Sequence, residues 1–301
     1  MNLTHIPVLL KEVIDNLNLK QGDIFLDGTV GLGGHSGYIC RKYGRDLKII
    51  GLDLDKNSLH VAEEHLRELN CDAILHQANF RNLDQVLRKL EIEKVDAILF
   101  DLGLSSYLLE ESGRGFSFQR DEPLLMTFKS DVSEYDLTAK IIVNEWSEEE
   151  IVKILKEYGE ERFAKRIAEK IIEIRRQKSL ETTFDLVAVI KEAVPHFYQK
   201  RKIHFATKTF QALRIAANDE LEALREALDS GFENLCSQGR MAVISFQSLE
   251  DRIVKHFNKE KEREELARII TKKPITPTEE EIKENPKSRS AKLRILEKNL
   301  S

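Results

Sequence analysis

Two periods of apolar spacing alternate over the first hundred residues. Short apolar runs at 24–26, 49–52, 73–75 and 95–100 read as strands. Between them Leu59, Ala62, Leu66 and Leu69, then Leu83, Val86, Leu87 and Leu90, recur at helical spacing. Brief apolar strands alternating with amphipathic helices predict an α/β fold with a parallel, doubly wound sheet, because each crossover helix buries its apolar stripe on that sheet.

The pattern changes after Ser106. Residues 110–129 are turn-rich, with Gly113, Gly115 and Pro123, and only helical spacing follows. Ser133 is expected to open one helix, and Ser147 followed by Glu150 is a capping box for another. From 160 to 176, Phe163, Ile167, Ile171 and Ile174 mark one face and Arg162, Lys165, Arg166 and Lys170 the other. A further helix is expected over 184–194. Sheet character then returns. Residues 207–228 read as one long helix, 241–246 as a buried strand after Gly239, and Ser248-Leu249-Glu250-Asp251 as a helix start. The runs 266–271 and 292–297 read as a closing antiparallel pair, joined by a surface loop that carries Pro274, Pro277 and Pro286. The expected organisation is a sheet domain from 1–106 and 203–301, interrupted by an all-helical insertion over 107–202.

Candidate chemistry gathers where the first strand ends. Asp27-Gly28-Thr29-Val30-Gly31-Leu32-Gly33-Gly34-His35-Ser36 joins strand to helix, and the second strand ends in Asp53. A glycine turn lets backbone approach a ligand with no side chain between, and a carboxylate at the next strand end can accept from both ribose hydroxyls. This is the layout of a nucleoside-cofactor site; its plainest alternative is a simple strand-to-helix turn. A dinucleotide fingerprint wants a third small residue at the helix start, for the pyrophosphate. Counting from Gly31 and Gly33, that place holds Ser36. S-adenosylmethionine has no phosphate and is the better match, and Asp27 suits a cofactor with ammonium and sulfonium charges. The terminal antiparallel pair also opposes a dehydrogenase, whose sheet would continue with parallel strands. The fourth strand ends in Asp101-Leu102-Gly103-Leu104-Ser105-Ser106. Ligands sit beyond such strand ends, so Asp101 is expected in the crevice that Gly33 and Asp53 line.

Composition narrows the class. The 301 residues are 33% charged and 41% hydrophobic, with no run near the roughly 18 apolar residues of a membrane span. His5, Lys11 and Glu12 break up the first apolar stretch, unlike a signal peptide. A soluble, cytoplasmic protein with no membrane partner is expected. Cys40, Cys71 and Cys236 show no C-x-x-C pair and no metal-ligand spacing, which fits a reduced compartment and argues against zinc. The formal net charge is −5, yet from Glu160 to Ala216 13 Lys or Arg stand against 7 Asp or Glu, a local net of +6. A local basic face can bind a polyanion whatever the total charge.

Further segments carry a family likeness. They are His5-Ile6-Pro7-Val8-Leu9-Leu10, the glycine turn, the Asp101 segment, Arg114-Gly115-Phe116-Ser117-Phe118 and Tyr158-Gly159-Glu160-Glu161-Arg162-Phe163-Ala164. Thr209-Phe210-Gln211-Ala212-Leu213-Arg214-Ile215, Ile244-Ser245-Phe246-Gln247-Ser248-Leu249-Glu250-Asp251-Arg252 and Asn285-Pro286-Lys287-Ser288-Arg289-Ser290-Ala291-Lys292-Leu293-Arg294 follow in order. With these the chain resembles, over nearly its whole length, the bacterial 16S ribosomal RNA (cytosine-N4)-methyltransferases, the small-subunit methyltransferase H family. The resemblance implies S-adenosyl-L-methionine as cofactor and a decoding-site cytidine of 16S rRNA, in the small ribosomal subunit, as acceptor. It implies a Rossmann-like methyltransferase sheet with a terminal antiparallel hairpin, interrupted by a helical RNA-recognition domain. By motif position it places cofactor contacts on Gly33, Gly34, His35, Asp53, Phe80, Asp101 and Leu108, the last where the family usually has a polar residue.

Each position has an expected role. Gly33 and Gly34 would admit the methionine part of the cofactor, His35 would bind its carboxylate or cap the helix, and Phe80 would stack on adenine or fill the core. Asp101 is the expected catalytic residue, accepting a hydrogen from the cytosine amine whose lone pair is delocalised into the ring. RNA contacts would draw on Arg162, Arg166, Lys200, Arg201, Lys202, Lys208, Arg214, Arg289 and Arg294, with Phe116 or Phe118 as platform for an unstacked base. Two segments depart from the family. Pro-Leu-Asp-Met-Arg-Met-Asp is Pro123-Leu124-Leu125-Met126-Thr127-Phe128-Lys129 here, and Gln247 stands for a His. Gln cannot titrate near neutral pH. The departures raise an alternative: a homologue with weakened chemistry that acts as a small-subunit binding or assembly factor.

Overall fold

The computed structural model describes residues 7–300; His5 and Ile6 of the first matching segment lie outside the described residues. Along the chain run α1 (Leu10–Leu17), β1 (Ile24–Asp27), α2 (Gly34–Tyr43), β2 (Lys48–Asp53), α3 (Lys56–Glu68), β3 (Asp72–Gln77), α4 (Leu83–Lys89) and β4 (Val95–Asp101). Helices follow: α5 (Ser106–Glu110), α6 (Ala139–Glu145), α7 (Glu148–Glu157), α8 (Ala164–Arg175), α9 (Thr183–Ala193), α10 (His196–Gln199), α11 (Thr207–Asn218) and α12 (Glu220–Asn234). The chain closes with β5 (Leu235–Ser245), α13 (Ser248–Arg263), β6 (Ala267–Ile269), α14 (Glu279–Glu284) and β7 (Lys292–Lys298). It divides into two compact units, one up to Gly103 and again from Leu221, the other Leu104–Glu220.

The first unit holds a seven-stranded sheet in the order β3-β2-β1-β4-β5-β7-β6. Pairing is parallel from β3 through β5, while β7 runs antiparallel to both β5 and β6. The expected doubly wound sheet with a terminal antiparallel hairpin is therefore present. Strand residues alternate between two faces, as a pleat requires. Leu26, Ile50, Ile98 and Phe100 pack with Leu87 of α4, Leu228 of α12 and Val254 of α13. Phe25, Ile49, Leu99 and Ile244 pack on the other side with Val13 of α1 and Ile39 of α2. Both faces are buried, so the strands are apolar almost throughout. Strand order reverses at β1, which lies between β2 and β4, and such a reversal opens a crevice at the carboxyl ends.

The second unit is helical. Ile142, Ile151, Leu155, Ile167, Ile171, Leu186, Ile190 and Leu213 share one core. Ser147 and Glu150 form the expected capping box, and Thr182 with Asp185 forms a second.

Four local expectations are corrected. The helix expected over 207–228 is two helices, broken at Asp219, whose φ of 49° is left-handed. Apolar spacing runs through such a break, since one reversed residue changes direction without changing composition. In consequence α11 puts Phe210, Ala212 and Leu213 into the helical core, and the units divide after Gly103 and after Glu220 rather than at 106 and 202. Ser133 opens no helix: its N–H and Oγ both donate to Asp136 at 2.8 Å, closing a turn, and α6 starts later under a Thr138 cap. The 272–291 connection contains α14. Cys40 of α2 and Cys71, beyond α3, form a disulfide, against the reduced state expected from their scatter. Their separation of 31 residues carries no pairing signal in sequence; packing of α2 against α3 brings them together.

Candidate cofactor site

Asp27, Asp53 and Asp101 end β1, β2 and β4, three neighbouring strands. Parallel strands place their last residues along one edge, so three carboxylates collect at the switch point. Burial pushes all three up to about 6 from the ordinary carboxylate value. Asp27 is enclosed, at 1% exposure, whereas 23% of the Asp101 side chain stays open, leaving its carboxylate within reach of a ligand.

The glycine turn is braced by these same carboxylates. Asp27 accepts from Ser36 Oγ at 2.7 Å and from the Thr29 N–H at 3.2 Å, tying the first turn of α2 to the end of β1. Asp53 Oδ2 accepts the Gly31 N–H at 2.9 Å and Oδ1 accepts the Asp55 N–H at 2.8 Å. The Leu54 N–H also bonds this carboxylate, so three backbone donors leave it about one lone pair for another donor. Thr29 Oγ accepts the Asp101 N–H at 2.6 Å, which links the glycine turn to β4. Gly33, before α2, has a φ of 82° that other residues rarely adopt. A Cβ on Gly34 would stand 2.8 Å from Pro7 Cγ, so the turn closes tightly under the amino-terminal segment.

His35 is buried beside this turn. Its Nε2 lies 3.0 Å from the Val8 carbonyl, an acceptor, so Nε2 carries the proton in the neutral ring. Nδ1 then presents a lone pair, 3.7 Å from Asp101 Oδ2. Burial pushes the His35 ring below its ordinary value, opposed chiefly by Asp27. The Leu9 N–H, next along, donates to Glu281 of α14 at 2.8 Å, so the carboxyl-terminal hairpin region holds the turn that His35 grips.

Phe80 follows β3 on a short 3-10 turn, half-buried, its ring 5.6 Å from Phe100 and its Cβ beside Gly28. Gly33, Gly34, His35, Asp53, Phe80 and Asp101 all belong to the sheet unit. Leu108 belongs to the helical unit, where it is packed in the apolar core. Thr29, Ser36 and Glu281 were given no bonding role from sequence. The first two stand inside the glycine motif, but Glu281 lies among five charged residues and carries no signal.

The acceptor-side candidates fare differently. Gln247 precedes α13 and donates from Nε2 to Glu250 at 2.7 Å, while the buried Glu250 also accepts the Phe246 and Gln247 N–H groups. Leu124 and Met126 are core residues, and Arg114 donates to the Phe128 carbonyl at 2.7 Å. Phe116 is buried and stacked on Phe128, and Phe118 lies 4.4 Å from the His204 ring. Neither is an open platform. Arg294 is buried against Asp251 at 2.7 Å, and Arg214 makes a two-pronged pair with Glu220 at 2.8 Å. These two cations hold the fold together and leave the set of RNA-contact candidates.

The site fits an S-adenosylmethionine-like ligand: a glycine cradle, a carboxylate with a lone pair to spare, and three clustered acids that favour a cation. Comparison with known proteins agrees. The MraW methylase family model matches residues 2–299. Ribosomal RNA small subunit methyltransferase H of Thermotoga neapolitana is 49% identical over 296 residues, covering 97% of this chain and 95% of the relative. The proteins of that name from Clostridium botulinum (strain Kyoto / Type A2) and Sulfurihydrogenibium sp. are 44% and 47% identical, covering 99% and 97% of this chain and 100% and 98% of their own lengths.

Proposed function

The chain belongs to the MraW methylase family, and from that premise we propose that it methylates the N4 amine of a decoding-site cytidine in the small-subunit ribosomal RNA. The observation that carries the reading is Asp101: an accessible carboxylate of raised pKa at the end of β4, next to the glycine turn. Relatives named ribosomal RNA small subunit methyltransferase H support RNA as the substrate class. The reading places the protein with ribosomes, in the cytoplasm.

Bound S-adenosylmethionine supplies a methyl group made electrophilic by its sulfonium. The chain supplies the rest. Asp53 would accept a ribose hydroxyl through its remaining lone pair, and the Gly33–Gly34 backbone would lie against the methionine part. Phe80 offers its half-buried ring to the adenine. Asp101 accepts a hydrogen of the cytosine amine, which restores density to the nitrogen and later removes the proton. With Nε2–H committed to Val8, His35 turns a lone pair toward Asp101 and gives it no proton, so the carboxylate is poised to take one. Leu108 contributes through its backbone or packing in this reading.

Asp101→Asn tests the assignment in single turnover with donor saturating. A loss of about 100-fold or more in the chemical step supports it, the usual contribution of a positioned base. Full turnover by Asp101→Ala with donor affinity kept would refute the role.

A further inference from the structure

Outside the cofactor site, the helical unit carries an exposed cluster of rings and guanidinium groups. Phe163, just before α8, lies edge-on to Tyr198 at 4.9 Å and to Phe197 at 6.3 Å. Arg162 stands over Phe163 at 4.8 Å and over Phe197 at 5.9 Å, Arg166 over Phe163 at 6.0 Å, and Arg201 over Tyr198 at 5.3 Å. Phe197 is 60% exposed. All three arginines are exposed too, and among the described residues no carboxylate pairs with them.

The cluster is built on a fixed floor. The buried Tyr198 hydroxyl donates to Glu161 at 2.6 Å, and the other Glu161 oxygen accepts the Phe163 N–H at 2.8 Å. That one buried carboxylate therefore sets the positions of both rings. Burial and the Glu161 bond push the Tyr198 hydroxyl up to about 12, so it remains a donor. The arginines and rings also stack on one another within the protein, which keeps the guanidinium groups beside an exposed ring face.

We propose that this surface is a stacking platform for single-stranded RNA: a base of the substrate strand lies on Phe197, and Arg162, Arg166 and Arg201 hold the adjoining phosphates. An open ring face stacks on any base, and guanidinium groups beside it pair with phosphate, the combination that single-stranded nucleic acid requires. A peptide partner would call for carboxylates to meet three arginines; an RNA strand brings one negative charge per nucleotide. The charge matches, since this stretch lies within the segment of local net +6. The proposal rests on the RNA reading above and adds the place where the strand is held.

The test compares Phe197→Ala, Phe197→Trp and Arg201→Ala with the unaltered protein. Binding is measured to protein-free 16S rRNA and to undermethylated small subunits, with donor affinity followed by calorimetry. Loss of one stacked base is expected to weaken RNA binding by roughly ten-fold, with Phe197→Trp restoring it and donor affinity unmoved. Arg201→Ala is expected to flatten the dependence of log affinity on log salt by about 0.7, one phosphate contact on a single strand. Unchanged RNA affinity in Phe197→Ala, while the unaltered protein methylates RNA, overturns the platform and leaves the RNA reading intact. A defect on assembled subunits but not on free rRNA also overturns it, because the ring would then meet a ribosomal protein. Absence of RNA binding and methylation in the unaltered protein would overturn the RNA reading itself.

Discussion

The crevice edge of the sheet and the aromatic patch of the helical unit use charge in opposite ways. At the sheet edge, three carboxylates are drawn into a desolvated cluster whose members brace one another through backbone N–H groups, Thr29 and Ser36. On the patch, a single buried carboxylate is hidden as a support and the cations face water. The first arrangement suits a small cationic ligand held in fixed geometry, where a displaced atom costs rate. The second suits a long polyanion, where affinity comes from several salt-sensitive contacts and no single one is decisive.

The contrast breaks most sharply through Asp101. Asp101→Asn is expected to cost about 100-fold or more in the chemical step with donor affinity within a few-fold, whereas no single patch substitution should change the chemical step that much. Acidity gives the same distinction. Asp101 works ionised and its pKa lies at about 6, so kcat/KM is expected to rise with pH through about 6 and level above it. A rate that stays flat from pH 5 to 8, with the protein folded, would contradict the assignment.

The disulfide belongs to the sheet unit alone. Closing 31 residues of chain lowers the entropy of the unfolded state by the equivalent of about 3–4 kcal/mol. Cys40→Ser is expected to lower stability by up to that amount, measured by denaturant unfolding with and without reductant. Equal stability under both conditions would show the thiols unpaired in solution.

Asp27 gives a smaller effect of unusual sign. Its folded pKa, about 6, lies above the unfolded value of 3.8, so it stabilises the fold below pH 4 and that stability is lost as pH rises through 6. Asp27→Asn is expected to stabilise the ligand-free protein relative to the original by about 1–3 kcal/mol at pH 7.5. The gain should shrink toward zero by pH 4. Gly33→Ala, at a φ of 82°, is expected to cost about 1 kcal/mol of stability and to weaken donor binding.

The two regions also differed in how far they could be read beforehand. The turn from Asp27 to Ser36 and the strand ends at Asp53 and Asp101 were legible because glycines and strand-terminal acids are local consequences of backbone geometry. Phe197 passed unnoticed: a phenylalanine in a helical stretch reads as core, and only packing shows which rings stay outside. Arg214 and Arg294 failed the other way, since nothing in their sequence surroundings announces Glu220 or Asp251 as partner. The break at Asp219 and the Cys40–Cys71 bond are tertiary events with no periodic signature. Gln247, read as a lost titrating group, lies at a helix start bonded to Glu250, a structural use its family position did not suggest.

The most direct test uses methyl-labelled S-adenosylmethionine and undermethylated small subunits, followed by digestion of the RNA and identification of the labelled nucleoside by mass. N4-methylcytidine from the decoding site is the predicted result, with Leu125, Thr127 and Gln247 thereby shown to be tolerated. Label in any other nucleoside, or none from a protein that binds the donor, would contradict the account.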